Sequence, residues 1–455
     1  MIKRIVLENF KCFDHLDANL SRITLLTGAN SSGKSSFMQS ILLFAQSDQF
    51  PLNLSLNGRY AQLGGFRELV FKHDVSKDIV LHVEYDASRS GAKKIPAKTE
   101  TRWGVSRSGK TIKCKEFRIE TPNCSMLVCL TEQSIKLEFI FPIEYLATLK
   151  EQAKTTPWEI VGDSKFIHYT DSESKVVING ITELAEIRHV LYLFSNRFPS
   201  NPHGQRVSNK SNPFLSIYDA WIYLQRFDSC FNYINSYEIP PARTYYQMST
   251  TETKIKSTGE GFEQQLLNWS ESAKNKMLTL NTILKKLKCA TDVKLKHLSG
   301  GRFEILVKNH KGGTSSSLVD VGFGISQILP LLIADIQLSK KCILSMSQPE
   351  RHLHPSLQAN LTDYWVDSIV DSSYKQYMIE THSEYIINRL RLRIAEGKIK
   401  ESDVACYYFE NTKDGTNSNK ITFKKDGTIS GAPDSFFDTY MIDSVHIALA
   451  ASERI

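Results

Sequence analysis

Gly28, Gly33, Lys34 and Ser35 stand at the spacing G-x-x-x-x-G-K-S within ITLLTGANSSGKSSF, residues 23 to 37. The chemistry of that pattern is the holding of phosphate. The glycines let the backbone curl so that amide N–H groups along Gly28, Ala29, Asn30, Ser31, Ser32, Gly33, Lys34, Ser35 and Ser36 point inward at anionic oxygens. Lys34 has the reach for β- and γ-phosphates, and the Ser35 hydroxyl is a Mg²⁺ ligand in such loops. A helix opening near Lys34 would aim its positive end at the anion. The apolar run Ile23–Leu26 before the loop and FMQSILLF after it supply the strand and helix that the pattern requires.

The elements that must hold this loop belong to a chain of 455 residues, long enough for two or three lobes and equally for one interrupted domain. At 41 % hydrophobic and 23 % charged it has the composition of a soluble globular protein. No apolar run nears the roughly 20 residues of a membrane helix, and MIKRIVLENF reads as a strand rather than a signal peptide, so a cytoplasmic protein is expected. Eight scattered cysteines without a C-x-x-C pair predict free thiols, neither zinc site nor disulfide framework. A net charge of +7 permits nucleic-acid contact without arguing for it.

Taken in order, MIKRIVLENFKCF alternates as a half-buried strand whose hairpin is expected to return at Ile23. Residues 78–141 alternate as an antiparallel sheet, and residues 89–118 within it carry ten Lys/Arg, either a DNA footprint or a solvated sheet edge. From Pro142 to Tyr237 the period turns helical, in EYLATLKEQA, ITELAEIRHVLYLF and FLSIYDAWIYLQRFDSCFNYINSY, around a Pro/Asn/Ser-rich loop NRFPSNPHGQRVSNKSNP. The aromatics Phe214, Tyr218, Trp221, Tyr223, Phe227, Phe231 and Tyr233 suit a core or an oligomer face better than a base-stacking platform. No sustained heptad follows. The C-terminal DVACYYFEN, KITFKKDGTIS and PDSFFDTYM read as two strands and a helix.

Phosphate loop, GFGISQ at 322–327, QPE-HLHP at 348–355 and ETHS at 380–383 come in an order that resembles the ABC-type AAA ATPases of the SMC/RecF and OLD-like branch. The nearest likeness is to the PtuA-type ATPases of bacterial Septu anti-phage systems. The resemblance implies an α/β fold, a P-loop ATPase head of mixed sheet with an antiparallel β-subdomain and an inserted helical subdomain. Its lobes would be 1–77 with the phosphate loop, 78–141 as the β-subdomain, 142–236 as the helical insertion and 237–455 as the second ATPase lobe. It implies ATP and Mg²⁺ as cofactors.

Position by position, the resemblance gives Asn9 and Lys11 to the nucleotide, through the opening "NF-basic" turn, and makes Gln62 the candidate Mg²⁺-sensing glutamine beside Ser35. Gly322, Gly324, Ser326 and Gln327 precede an apolar helix and match the signature that meets the nucleotide of a second subunit. Leu298-Ser299-Gly300-Gly301 spells a signature too, but the strand FEILVKN follows it, so a hairpin turn is expected there. His382 resembles the switch histidine that reaches the γ-phosphate. His352 and His354 are two apart near a glutamate, and are better explained as packing groups in a turn than as metal ligands.

The informative departure is at ILSMSQPE, where the family has a buried strand ending in two acids before the proline. The first acid ordinarily holds Mg²⁺ and the second polarises the attacking water. Here those positions are Ser347 and Gln348, and glutamine orients a water without taking its proton. Glu350, two residues on in the turn, is the candidate substitute. Nucleotide binding with slow or absent hydrolysis is therefore expected, and Gln348→Glu alone is not expected to restore turnover, since Ser347 leaves Mg²⁺ without its acid.

With neither a Toprim D-x-D cluster nor an HNH constellation in the sequence, a nuclease is expected from a partner, of the HNH, PtuB-like kind in Septu systems. The expected role is a nucleotide-sensing scaffold acting as a homodimer or higher homo-oligomer. The alternative is a hydrolysing RecF/SMC-like DNA-repair or DNA-loading ATPase, or the ATPase partner of a separate Toprim nuclease.

Overall fold

Two kinds of strand pattern divide the chain: alternating ones, buried on one face, and short runs buried at every residue. A computed structural model describes residues 1–433 apart from 49, 88–93, 107–111, 131–134, 142–166, 171–174, 182–185, 188–189, 192–212, 237–239, 249–252, 311, 339–341 and 373–374, and beyond 433 only 436 and 449. It falls into two compact units, Met1–Asn19 with Leu43–Ser229, and Leu20–Leu42 with Cys230–Ile455.

The first unit holds the alternating strands in a nine-stranded antiparallel sheet. The order is Phe13–Asn19, Ile2–Phe10, Ile79–Ala87, Ile95–Val105, Ile112–Thr121, Cys124–Leu130, Ile135–Ile140, Lys175–Ile181, Ile167–Thr170. The opening hairpin returns at Phe13, not at Ile23: Phe10 pairs with Phe13 across a turn in which Lys11 takes φ 52°. The burial patterns explain the difference, since Phe13–Asn19 alternates like its partner while Ile23–Gly28 is buried at every position and belongs to the other unit. Residues 167–170 and 175–181 are strands rather than the expected helix. The β-branched run Val176–Ile178 pairs with Leu137–Phe139, extending the sheet.

The helix Pro213–Gln225 packs on this sheet through its aromatics. Trp221 meets Phe117 at 5.5 Å and Tyr223 stacks on Tyr85 at 5.1 Å between ring centroids. Phe214, Trp221 and Phe227 are buried core. EYLATLKEQA, most of ITELAEIRHVLYLF, the loop at 196–212 and most of PDSFFDTYM lie outside the described residues.

The second unit is built on a seven-stranded sheet ordered Phe231–Ile234, Ile343–Ser347, Gln376–Glu380, Ile23–Gly28, Val404–Thr412, Gly415–Phe423, Ile429–Ser430. The first five are parallel and the last two antiparallel. Leu25, Leu344, Ile379 and Cys406 from these strands share a core with Leu332, Trp365 and Leu390 from the helices Phe323–Gln337, Pro355–Asp371 and Glu384–Ala395. A smaller sheet, Tyr245–Tyr246, Arg302–Lys308, Asp292–Leu298, with Ser315–Ser317 on Arg302–Lys308, completes the unit. Gly300 and Gly301 form its hairpin turn, as expected of LSGG.

These units cut across the four expected lobes. The phosphate-loop strand lies between Gln376–Glu380 and Val404–Thr412, so the loop groups with the C-terminal half while residues 1–19 join the antiparallel sheet. All eight cysteines are free thiols. Among the described residues no helix is long and apolar enough to cross a membrane.

Candidate nucleotide-binding site

The carboxyl ends of parallel strands are where an open α/β sheet places ligands, and three strand ends meet here: Gly28, Ser347 and Glu380. After Gly28 the chain turns through a loop with Ser31 at φ 59° and Gly33 at φ 101°, then enters the helix Lys34–Gln46. Gly28 itself has φ 130°, and a Cβ there would sit 2.2 Å from the Phe409 carbonyl oxygen on the adjacent strand. Only glycine tolerates both demands. Asn411, two residues along that strand, donates its side-chain N–H to the Ser31 carbonyl at 2.9 Å and ties the loop down.

Lys34 is 4 % exposed and donates to the loop's own carbonyls, Gly28 O at 3.0 Å and Ala29 O at 2.6 Å. Burial pushes its pKa below the ordinary lysine value, with the charge of Glu380 opposing. The Ser32 hydroxyl is buried in the loop without a hydrogen-bond partner among the described residues. A hydroxyl, a buried ammonium and a curled run of amides are the donor chemistry of a phosphate cradle.

Beside the loop lies a carboxylate to which the motif reading gave no role. Glu380, 4 % exposed, accepts from Ser35 Oγ at 2.9 Å through one oxygen and from Ser347 Oγ at 2.8 Å through the other. Tyr233 OH lies 3.3 Å from Ser347 Oγ and extends the chain of hydroxyls. The strand register creates this: Glu380 pairs with Ser347 on one side and with Leu26 on the other. The motif reading expects no acid beside Ser347, and the structure puts the Glu380 carboxylate there. The Ser35, Ser347 and Glu380 oxygens suit a hard cation such as Mg²⁺. The sequence marks Glu380 only as an acid closing the run QYMIE; its neighbour Ser347 is set by strand register.

Gln348 follows Ser347 at φ 49°, its N–H bound to the Glu380 carbonyl at 2.7 Å. Its side-chain amide makes no hydrogen bond among the described residues, and it lines a small pocket of about 40 Å³ with Ser326, Gln327, Pro330 and Arg351. Glu350 is in the site: its Oε1 accepts the His382 N–H at 2.8 Å, and its Oε2 is buried without a hydrogen bond of ordinary geometry among the described residues. Burial raises the Glu350 pKa above the ordinary carboxylate value and the charge of Glu380 adds to the rise; the His382 amide and the Thr381 hydroxyl act the other way. His382 is exposed, with its pKa lowered by desolvation and then by the charge of Lys34.

GFGISQ forms the first turns of the helix Phe323–Gln337 instead of preceding it, with Gly322 as its cap. Gly322 is exposed, Gly324 half-buried and Ser326 buried. The histidines of HLHP hold no metal geometry, and no cluster of three ligating side chains exists among the described residues. His354 instead caps the helix Pro355–Asp371, accepting the Ser356 N–H. Asn9, Lys11 and Gln62 belong to the first unit. Asn9 donates to Asp78 O, the Lys11 N–H to Leu69 O, and the exposed Gln62 to Gly58 O.

Of the basic stretch, Arg89, Lys93, Arg107 and Lys110 lie outside the described residues. Lys98 pairs with Glu84 at 3.4 Å, Lys115 with Asp78 at 2.6 Å and Arg118 with Glu120 at 3.7 Å, so much of its described charge is compensated.

A parallel sheet with a glycine-turned loop and helix at its carboxyl edge defines a P-loop protein. Residues 1–387 match the family described as AAA ATPase domain, and the chain belongs to that family. No curated protein matches it in sequence. Among solved structures it is similar to an SMC head domain from Thermotoga maritima, at 10 % identity and a TM-score of 0.39, over 92 % of this chain and 98 % of that one. It is similar also to the Smc head domain with an extended coiled coil bound to the C-terminal domain of ScpA from Pyrococcus furiosus, at 11 % identity and a TM-score of 0.42, over 92 % and 96 %. The family assignment rests on the matched family model.

Proposed function

We propose that this chain is an ATP-binding, nucleotide-sensing scaffold with slow hydrolysis. The observation that carries the reading is Gln348: a neutral amide stands where the family has a base to face the attacking water, beside the loop that buries Lys34 and the Ser32 hydroxyl. Lys34 would turn its ammonium from the Gly28 and Ala29 carbonyls to the β- and γ-phosphates, while the loop amides and the Ser32 hydroxyl hold their oxygens. Ser35 would ligate Mg²⁺, which when bound offsets phosphate charge. His382 would reach the γ-phosphate, and Gln348 would orient a water without deprotonating it.

In this reading two copies close head to head, the helix start at Gly322–Gln327 of one meeting the nucleotide of the other. Gly322 and Gly324, not the buried Ser326, would supply the contact. The dimer or larger homo-oligomer would gate a partner nuclease of the HNH, PtuB-like kind in Septu-type anti-phage defence. Motif order and the missing base support that finer placement. Sedimentation of the full chain with and without Mg²⁺·ATP, followed by copurification with its operon neighbours, tests it. ATP-driven assembly and a captured nuclease are expected; a mass unmoved by ATP counts against the clasp.

One observation favours the alternative, a hydrolysing RecF/SMC-like ATPase acting on DNA: the buried Glu380 and the high-pKa Glu350 put two carboxylates in the site. Phosphate release that rises with DNA and collapses in Lys34→Ala would establish it.

A further inference from the structure

Strand Ile343–Ser347 ends without an acid, and the neighbouring strand ends with one at the same level of the sheet. We infer that Glu380 is the magnesium-holding carboxylate of this site, relocated by one strand, and that Ser347 is the small residue that makes room for it; the inference rests on the nucleotide reading above.

Three observations meet. Glu380 and Ser347 are direct partners in a parallel ladder, so an acid moved from one to the other keeps its height and shifts sideways by one strand spacing, about 4.8 Å, toward the phosphate-loop strand. The Glu380 side chain spans that shift with its two oxygens divided between Ser35, the loop's cation ligand, and Ser347. Its burial is not that of a surface acid caught by chance. A carboxylate in such surroundings needs donors or a cation, and the donors here are two hydroxyls with Lys34 close enough to feel its charge.

The exchange is coupled. An aspartate at 347 would press a second carboxylate against Glu380 where the serine hydroxyl now donates, and without a cation between them two carboxylates in one buried contact cannot both stay ionised. A serine at 347 with a threonine at 380 would leave no acid there. Either residue is explicable only given the other.

The test is the ratio of ATP affinities in Mg²⁺ and in EDTA, measured by calorimetry on the full chain. Wild type should bind more tightly with Mg²⁺. Glu380→Gln, of the same size and without the charge, should lose roughly 10–100-fold of that Mg²⁺ gain. The exchange variant Ser347→Asp with Glu380→Thr should recover most of it, a rescue that a merely structural Glu380 would not give. Thermal unfolding of each variant verifies its fold, and Glu380→Asp, which keeps the charge, is expected to fall between wild type and Glu380→Gln. A folded Glu380→Gln or Glu380→Asp with an unchanged ratio, or an exchange variant no better than Glu380→Gln, overturns the inference. Wild type that binds no ATP in either buffer overturns the nucleotide reading instead, and the inference with it.

Discussion

The phosphate loop and the acidic corner stand at the ends of adjacent strands of one sheet, yet they differ in how they are built. The loop is contiguous: every residue that shapes it lies between Gly28 and Ser35, save the Asn411 tie and the Phe409 carbonyl that dictates glycine at 28. The corner is assembled from Ser35, Tyr233, Ser347 and Glu380, four stretches of chain brought together by strand register. A contiguous element has few ways to vary, because each backbone angle depends on its neighbours. An assembled one can pass a charge from strand to strand and keep its chemistry.

Breaking the loop should have the largest effect. Lys34→Ala removes a buried ammonium facing the loop, and ATP affinity should fall about 100-fold, near 3 kcal/mol, read by calorimetry. Wild-type affinity in that variant would place the nucleotide elsewhere. Gly28→Ala attacks the same element through its backbone. With φ at 130° and a carbonyl oxygen 2.2 Å from the new Cβ, stability should drop by about 2–3 kcal/mol in urea unfolding.

Glu350, in the turn just beyond the corner, should respond more mildly and through pH. The raised Glu350 pKa means that the folded chain holds this proton more tightly than the unfolded chain does. Its contribution to stability is present in full below the ordinary glutamate pKa and is lost as pH rises through the folded value. Relative to Glu350→Gln, wild type should therefore lose stability as pH climbs from about 4.5 toward neutrality, measured as the difference in unfolding midpoint. A constant difference across that window would mean that Glu350 is solvated. Smallest of all, Asn411→Ala removes one exposed hydrogen bond to the loop, worth about 1 kcal/mol and a few-fold in ATP affinity.

The contrast also explains what the sequence made legible. The loop, its strand and helix, the alternating β-region and the hairpin at Gly300–Gly301 could be read because each is a local pattern. The role of Glu380 could not, because nothing in ETHS says that residue 380 lies beside residue 347. The place of Ile23–Gly28 between Gln376–Glu380 and Val404–Thr412 was hidden for the same reason, and so the opening hairpin was expected to close one strand too late. The strand at 175–181 was missed when a helical period was extended across a β-branched run. The motif reading puts Ser326 ahead of the helix, whereas the helix begins at Phe323 and buries that residue.

The acid at Glu380 reverses one expectation. With a carboxylate already beside Ser35, Gln348 is the missing piece for turnover, and Gln348→Glu alone should restore it. Phosphate release by wild type and by Gln348→Glu, at saturating Mg²⁺·ATP, is therefore the most direct measurement of a site that binds but barely cuts. The account predicts slow release in wild type and a rise of about 100-fold in the variant. Brisk release by wild type, unchanged or lowered by the substitution, would contradict it.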